Sequence, residues 1–107
     1  ELSFMDITDS FLKILNQFAP HGPDNMKPIF ISRQVKDFKG FSTVIKDKHL
    51  KLVLFQNSSK TMNGIAFNLA DKLDLIKSRT SFDIIYHIEE NEWNDKTSIQ
   101  LRIIDIR

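Results

Sequence analysis

Cysteine is absent from the chain, which rules out a disulfide framework and any thiolate metal site. That fits an intracellular, cytoplasmic protein. Long apolar runs are missing too. The longest, Leu52-Val53-Leu54-Phe55, falls far short of the ~20 residues that span a bilayer, so no membrane partner is expected. No basic-then-apolar segment opens the chain as a signal peptide would. The sequence starts at Glu1 without an initiator Met and stops at Arg107 against a strand-like run, so both ends read as cuts within a longer protein. Proline is confined to Pro20, Pro23 and Pro28, which leaves the rest of the chain free to form regular structure.

What remains is an ordinary globular composition, 41% hydrophobic with nine Phe in 107 residues. A domain this size buries roughly two-thirds of its unfolded surface, enough for a core without covalent staples. The net charge of +1 conceals an uneven distribution. Lys36, Lys39, Lys46, Lys48 and Lys51 face only Asp37 and Asp47, whereas Asp83, Glu89, Glu90, Glu92 and Asp95 share their stretch with no Lys or Arg. The first stretch suits a phosphate backbone and the second repels it.

Ile7, Phe11, Ile14, Leu15 and Phe18 recur at spacings of three and four, the stripe of an amphipathic helix with Thr8 as N-cap. This apolar face must be buried, either against the rest of the chain or between copies. Pro20, Gly22, Pro23 and Pro28 make residues 19–28 an irregular connector. The period then changes to two. A first strand opens at Ile29, although which of its faces points inward is ambiguous. His49 to Gln56 is clearer: three leucines point one way, while His49, Lys51, Val53 and Phe55 point the other. Asn57 to Lys60 forms a hairpin loop and Thr61 to Phe67 returns, with Gly64 marking a bulge or tight bend. Asn68 is placed to cap a short helix bearing Leu69, Leu73 and Ile76. Strands then run from Phe82 to Glu89 and from Ser98 to Ile106, the last slipping phase at Ile104. Between them lies a connector, Glu90 to Thr97. The order is helix, then β-β-β-α-β-β. Five strands with a helix between the third and fourth predict a mainly β, five-stranded Greek-key barrel of the oligonucleotide/oligosaccharide-binding (OB) fold.

Taken in order, several segments resemble the C-terminal part of RecJ-type single-strand-specific DNA exonucleases. They are Ala19-Pro20-His21-Gly22-Pro23-Asp24-Asn25-Met26-Lys27-Pro28-Ile29-Phe30, His49-Leu50-Lys51-Leu52, Gly64-Ile65-Ala66-Phe67, Tyr86-His87-Ile88-Glu89-Glu90-Asn91-Glu92-Trp93-Asn94, Ser98-Ile99-Gln100-Leu101 and Asp105-Ile106. The chain departs from the family pattern at His21, usually Phe, at Asp24, usually Gly, and at Asp95, usually the Gly of an Asn-Gly turn. The resemblance implies that residues 1–28 are the last helix and connector of a preceding domain and that residues 29–107 are the barrel. It also implies a 5′-to-3′ exonuclease of DNA repair and recombination, whose Mn- or Mg-binding catalytic core lies elsewhere. This fragment is then a non-catalytic accessory domain without a cofactor of its own. Its partners are single-stranded DNA, the catalytic core of the same chain and repair proteins.

Alternative chemistry is poorly supported. His21, His49 and His87 sit in a connector and two separate strands without HxH or HExxH spacing, so no metal site is expected. Glu89, Glu90 and Glu92 read as a solvated strand end that discourages edge pairing rather than as paired catalytic carboxylates. OB barrels bind on the face of their second and third strands, flanked by the loops between strands one and two and between four and five. Lys46, Lys48, His49 and Lys51 fall there as candidate phosphate contacts. Phe55 shares the outward face of Lys51, where it either stacks a base, worth ~1–3 kcal/mol, or merely covers the barrel. Lys36, Lys60 and Trp93 are further candidates, although the acids around Trp93 argue that it caps the barrel instead. The rival expectation is a scaffold that docks the catalytic core or a repair partner without touching DNA.

Overall fold

The computed structural model describes residues 1–18, 28–56, 60–78 and 80–107, and at 16–18, 91–93 and 97 the backbone alone. After a 3-10 turn at Phe4–Asp6 come α1 (Asp9–Phe18), β1 (Phe30–Asp37), β2 (Thr43–Ile45), β3 (His49–Phe55) and β4 (Met62–Ala66). A second 3-10 turn, Ala70–Lys72, leads into α2 (Leu73–Ser78), followed by β5 (Phe82–Trp93) and β6 (Lys96–Ile106). The strands lie in the order β1-β5-β6-β4-β3-β2, and a β1–β3 pairing at Lys36↔Phe55 and Asp37↔Leu54 closes the barrel. β2 falls where a loop was expected; β1 and β2, interrupted at Phe38–Ser42, together take the place of the first strand of an OB barrel. Counted that way, the barrel is the five-stranded OB arrangement.

The inner face follows the alternation. Leu50, Leu52 and Leu54 of β3, Ile84 and Tyr86 of β5, and Leu101 and Ile103 of β6 are buried in one core. Each such aliphatic side chain contributes about 1.5–3 kcal/mol. Leu69, Leu73 and Ile76 bring α2 onto that core as expected. The phase slip at Ile104 is a β-bulge: Ile85 pairs with Asp105 and Tyr86 with Ile103, which leaves Ile104 exposed.

Three expectations are corrected. β3 and β4 keep an unbroken register through Leu52↔Gly64, so Gly64 is not a bulge. A Cβ there would meet the Ile103 side chain and Leu101 carbonyl at 3.4 Å, so close packing accounts for the missing side chain. A second bulge lies instead in β1, where Gln34 takes φ +56° and the register with β5 shifts between Ser32 and Val35. Asp83 braces it, accepting from the Gln34 N–H at 3.1 Å and from Arg33 at 3.2 Å. Asn68 does not cap a helix; at φ +60° it donates its N–H to His49 Nδ1 at 2.9 Å. Finally, most of the connector expected at Glu90–Thr97 is strand. β5 and β6 run on to pair Trp93 with Lys96, across a two-residue turn at Asn94 and Asp95. Both turn residues have positive φ, 50° and 63°, as a type I′ hairpin requires. The expected loop at Asn57–Lys60 and the expected connector at 19–28 lie largely outside the described residues.

The N-terminal segment completes the barrel. Thr8 caps α1 as read, accepting from the Phe11 N–H at 3.2 Å. Ahead of it, Phe4 and Ile7 are fully buried in the core cluster, with Phe4 edge-on to Tyr86. Of the helix stripe, Phe11 packs on Phe30 but Ile14 is 54% exposed; the helix buries Leu12 instead, a position outside the expected stripe. The strap formed by residues 1–8 is sewn down by polar groups. The Leu2 N–H donates to the Ile31 carbonyl at 2.7 Å. Gln56 accepts from the Phe4 N–H at 2.8 Å and donates to the Arg33 carbonyl at 2.6 Å. Ser32 donates to the Leu2 carbonyl at 2.6 Å, so its 2.7 Å contact with Tyr86 has the phenol as donor. Burial pushes the Tyr86 phenol above its ordinary pKa, outweighing the opposing effect of the Ser32 hydrogen bond.

Candidate nucleic-acid interface

The registers fix which outward side chains are neighbours. One cross-strand row runs Thr43, Lys51, Ile65, Arg102, His87 across β2, β3, β4, β6 and β5. The next runs Val53, Asn63, Gln100, Glu89, and on the other side Ile45 pairs with His49. Strands lie ≈ 4.7–4.9 Å apart, so these rows form one continuous sheet face.

Lys46 and Lys48 project from the turn at the β2 end of that face. Lys46 and Asp47 take φ 53° and 61°, and the Lys48 N–H donates to the Ile45 carbonyl at 3.3 Å, a tight type I′ hairpin. The loop expected between the first two strands is therefore only this turn. Lys36 is not in it; it lies at the end of β1, paired with Phe55. Lys46, Lys48 and Lys51 are exposed, and none of the ion pairs among the described residues uses them. His49 accepts the Asn68 N–H at Nδ1 at 2.9 Å, an arrangement in which the ring proton sits on Nε2. His87 does the reverse, donating from Nδ1 to the Pro28 carbonyl at 2.8 Å.

Phe55 shares the face of Lys51, but its ring is met edge-on by Phe38 at 5.8 Å. Lys60 lies at the far end of the β3–β4 hairpin, beside Asp9, Lys13 and Glu90. The side chain of Trp93 falls outside the described residues; its backbone sits at the tip of the β5–β6 ribbon. Charge therefore grades along the face. The Lys46–Lys48 turn, Lys51 and Arg102 make one end basic, while Glu89, which pairs with Arg102 at 3.5 Å, begins the acidic end.

Two groups escaped the sequence reading. Phe67 continues the outward phase of Asn63 and Ile65 and is 44% exposed. Its ring has the Arg102 guanidinium over it at 5.2 Å and the His49 ring edge-on at 5.1 Å. Alternation alone places Phe67 and Arg102 outward; only the β4–β6 pairing places them together. Among the described residues no group of three metal-ligating side chains converges, and Glu89 and Glu90 point to opposite faces of β5.

The fold has a solved counterpart. The chain is similar to the mitochondrial single-stranded DNA binding protein Rim1 from S. cerevisiae, with a TM-score of 0.53 and 11% identity over 77% of this chain and 95% of that one. At that identity the likeness is one of fold. No curated protein sequence matches the chain. The family model for the RecJ OB domain, however, matches residues 1–105, a span that takes in the strap and α1 as well as all six strands. The chain belongs to the RecJ OB domain family.

Proposed function

We propose that this barrel holds single-stranded DNA for a RecJ-type 5′-to-3′ exonuclease acting in DNA repair and recombination. The phosphates would track along Lys46, Lys48 and Lys51. The observation that carries this reading is the uncompensated basic edge of an open OB sheet face, in a chain of the RecJ OB family. Phosphate contacts position the strand without reading its sequence, and a single strand offers base faces that a duplex hides. Gripping substrate beside the catalytic centre lengthens its residence there. Hydrolysis would fall to a Mn- or Mg-binding core outside these residues, where the metal would supply an activated water, and the domain itself would do no bond chemistry.

A second reading has its own support. Ile29 and Ile104 are 56% and 42% exposed and line one shallow groove with Phe67 and His87, an apolar surface suited to packing against the core of the same protein. Fluorescence anisotropy of a labelled single strand, at low and moderate salt with a duplex control, separates the two. Salt-sensitive binding that prefers the single strand, and that the triple Lys46→Glu, Lys48→Glu, Lys51→Glu change abolishes without altering the melting temperature, supports the DNA reading. Affinity unmoved by the triple change, or absent at low salt, favours the docking surface.

A further inference from the structure

We infer that Phe41 and Phe67 are two base-stacking platforms on either side of Lys51, with the Lys46–Lys48 turn beyond Phe67, so that the domain reads single strands by two spaced bases. The inference rests on the single-strand reading above and specifies where bases, as opposed to phosphates, are held. Phe41 lies in the interruption of the first barrel strand and is 57% exposed. It is not a loose loop residue. Its N–H donates to the Phe38 carbonyl at 3.0 Å, and its ring packs against Phe38 at 5.8 Å, which in turn meets Phe55. Lys39 lies over the Phe38 ring at 5.2 Å, and Lys77 reaches the Gly40 carbonyl at 3.3 Å and Asp37 at 3.5 Å. Phe55 thus supports Phe38, and Phe41 presents the open ring of the stack.

Phe67 is braced in the same manner by Arg102 and His49. Large apolar rings that stay exposed yet are fixed by their neighbours have already lost the side-chain freedom a ligand would otherwise have to remove, the signature of preorganisation. Phe67 stands beside His49 and the Phe38–Phe41 stack beside Val53 and Phe55, four to six residues further along β3, or roughly 13–20 Å at ~3.3 Å per residue. Between them the outward side chains are Lys51, Thr43, Val53, Asn63 and Ile65, with no carboxylate to repel a backbone. That separation suits a strand of several nucleotides, within the ~4–16 that OB barrels cover.

The test compares an oligothymidylate of about eight residues with an abasic strand of equal length, which keeps the phosphates and lacks the bases. The protein should prefer the thymidylate. Phe41→Ala and Phe67→Ala should each weaken thymidylate binding about fivefold or more while leaving abasic binding and the salt slope unchanged. The double variant should bind both strands alike. Phe67→Leu, which keeps apolar packing against His49 and Arg102 but no ring, guards against a folding defect, and Ile14→Ala on α1 serves as the neutral control. If the wild type binds and the aromatic variants lose nothing, or lose equally on the abasic strand, the platforms are refuted while phosphate gripping stands. If the wild type binds neither strand, the single-strand reading falls and the platforms with it.

Discussion

Neutralising the three lysines one at a time gives the sharpest test of the basic edge, because counterion release turns phosphate contacts into a slope. Each contact to a single strand contributes ~0.7 to the fall of log K with log salt, so Lys46, Lys48 and Lys51 together give a slope of about 2. Raising salt from about 50 to 200 mM should then weaken wild-type binding about twentyfold. Lys51→Gln leaves two contacts and about a sevenfold loss over the same range; the triple Gln variant should be nearly flat. All three side chains are exposed and outside the described ion pairs, so stability should stay within about ±0.5 kcal/mol. Anisotropy titrations at four or five salt concentrations read the slope directly. An unchanged slope in the triple variant, with binding intact, would show that phosphates bind elsewhere and would refute the reasoning.

Three further predictions concern the frame that holds this face. Phe4→Ala should destabilise the domain by about 3–5 kcal/mol in denaturant melts, as for other core aromatics, because Phe4 is fully buried against Tyr86. Tyr86 is the only tyrosine, so tyrosinate ultraviolet absorbance reports it alone. Its raised pKa means the folded state keeps a proton that the unfolded state releases near pH ~10. Stability is therefore full below that pH and declines as pH rises towards the folded pKa, and Tyr86→Phe should lose that component of alkaline destabilisation. Asp95→Gly places the preferred residue at φ 63° in the β5–β6 turn and should stabilise by up to about 1 kcal/mol, seen as a higher melting temperature.

Much of the barrel was legible because two-residue alternation is a local signal. Leu50, Leu52 and Leu54 announce their inner face, Thr8 its capping role and Ile104 its bulge. What escaped depended on contacts between distant segments. Phe4 reads as a stray aromatic near one end of the sequence until Gln56 and Ser32 are seen to fasten the strap. Gln34 bulges where Gly64 seemed the better candidate, because Asp83, 49 residues away, supplies the hydrogen bond that holds it. The run from Glu89 to Trp93 hides a strand, since Glu89, Glu90, Asn91 and Glu92 give it no apolar rhythm. The candidate site divides the same way. Lys46, Lys48 and Lys51 stand out as a cluster along the chain, whereas Phe67 and Arg102 belong together only through pairing of β4 with β6.

That pairing is also one of the two short closures of the barrel, beside the two-pair β1–β3 contact. β4 and β6 run parallel and are joined only at Asn63↔Gln100, Gly64↔Leu101 and Ile65↔Arg102, while β5 and β6 pair along nearly their whole length. Parallel pairs are slightly weaker per residue, so this seam should open more readily than the β5–β6 ribbon and exchange its amide hydrogens ahead of it. The outward row crosses the seam at Ile65 and Arg102. A strand lying along that row would bind only the closed form and so act as a clasp, slowing exchange in proportion to its occupancy. Substrate binding and the mechanical integrity of the barrel would then be one equilibrium viewed from two sides.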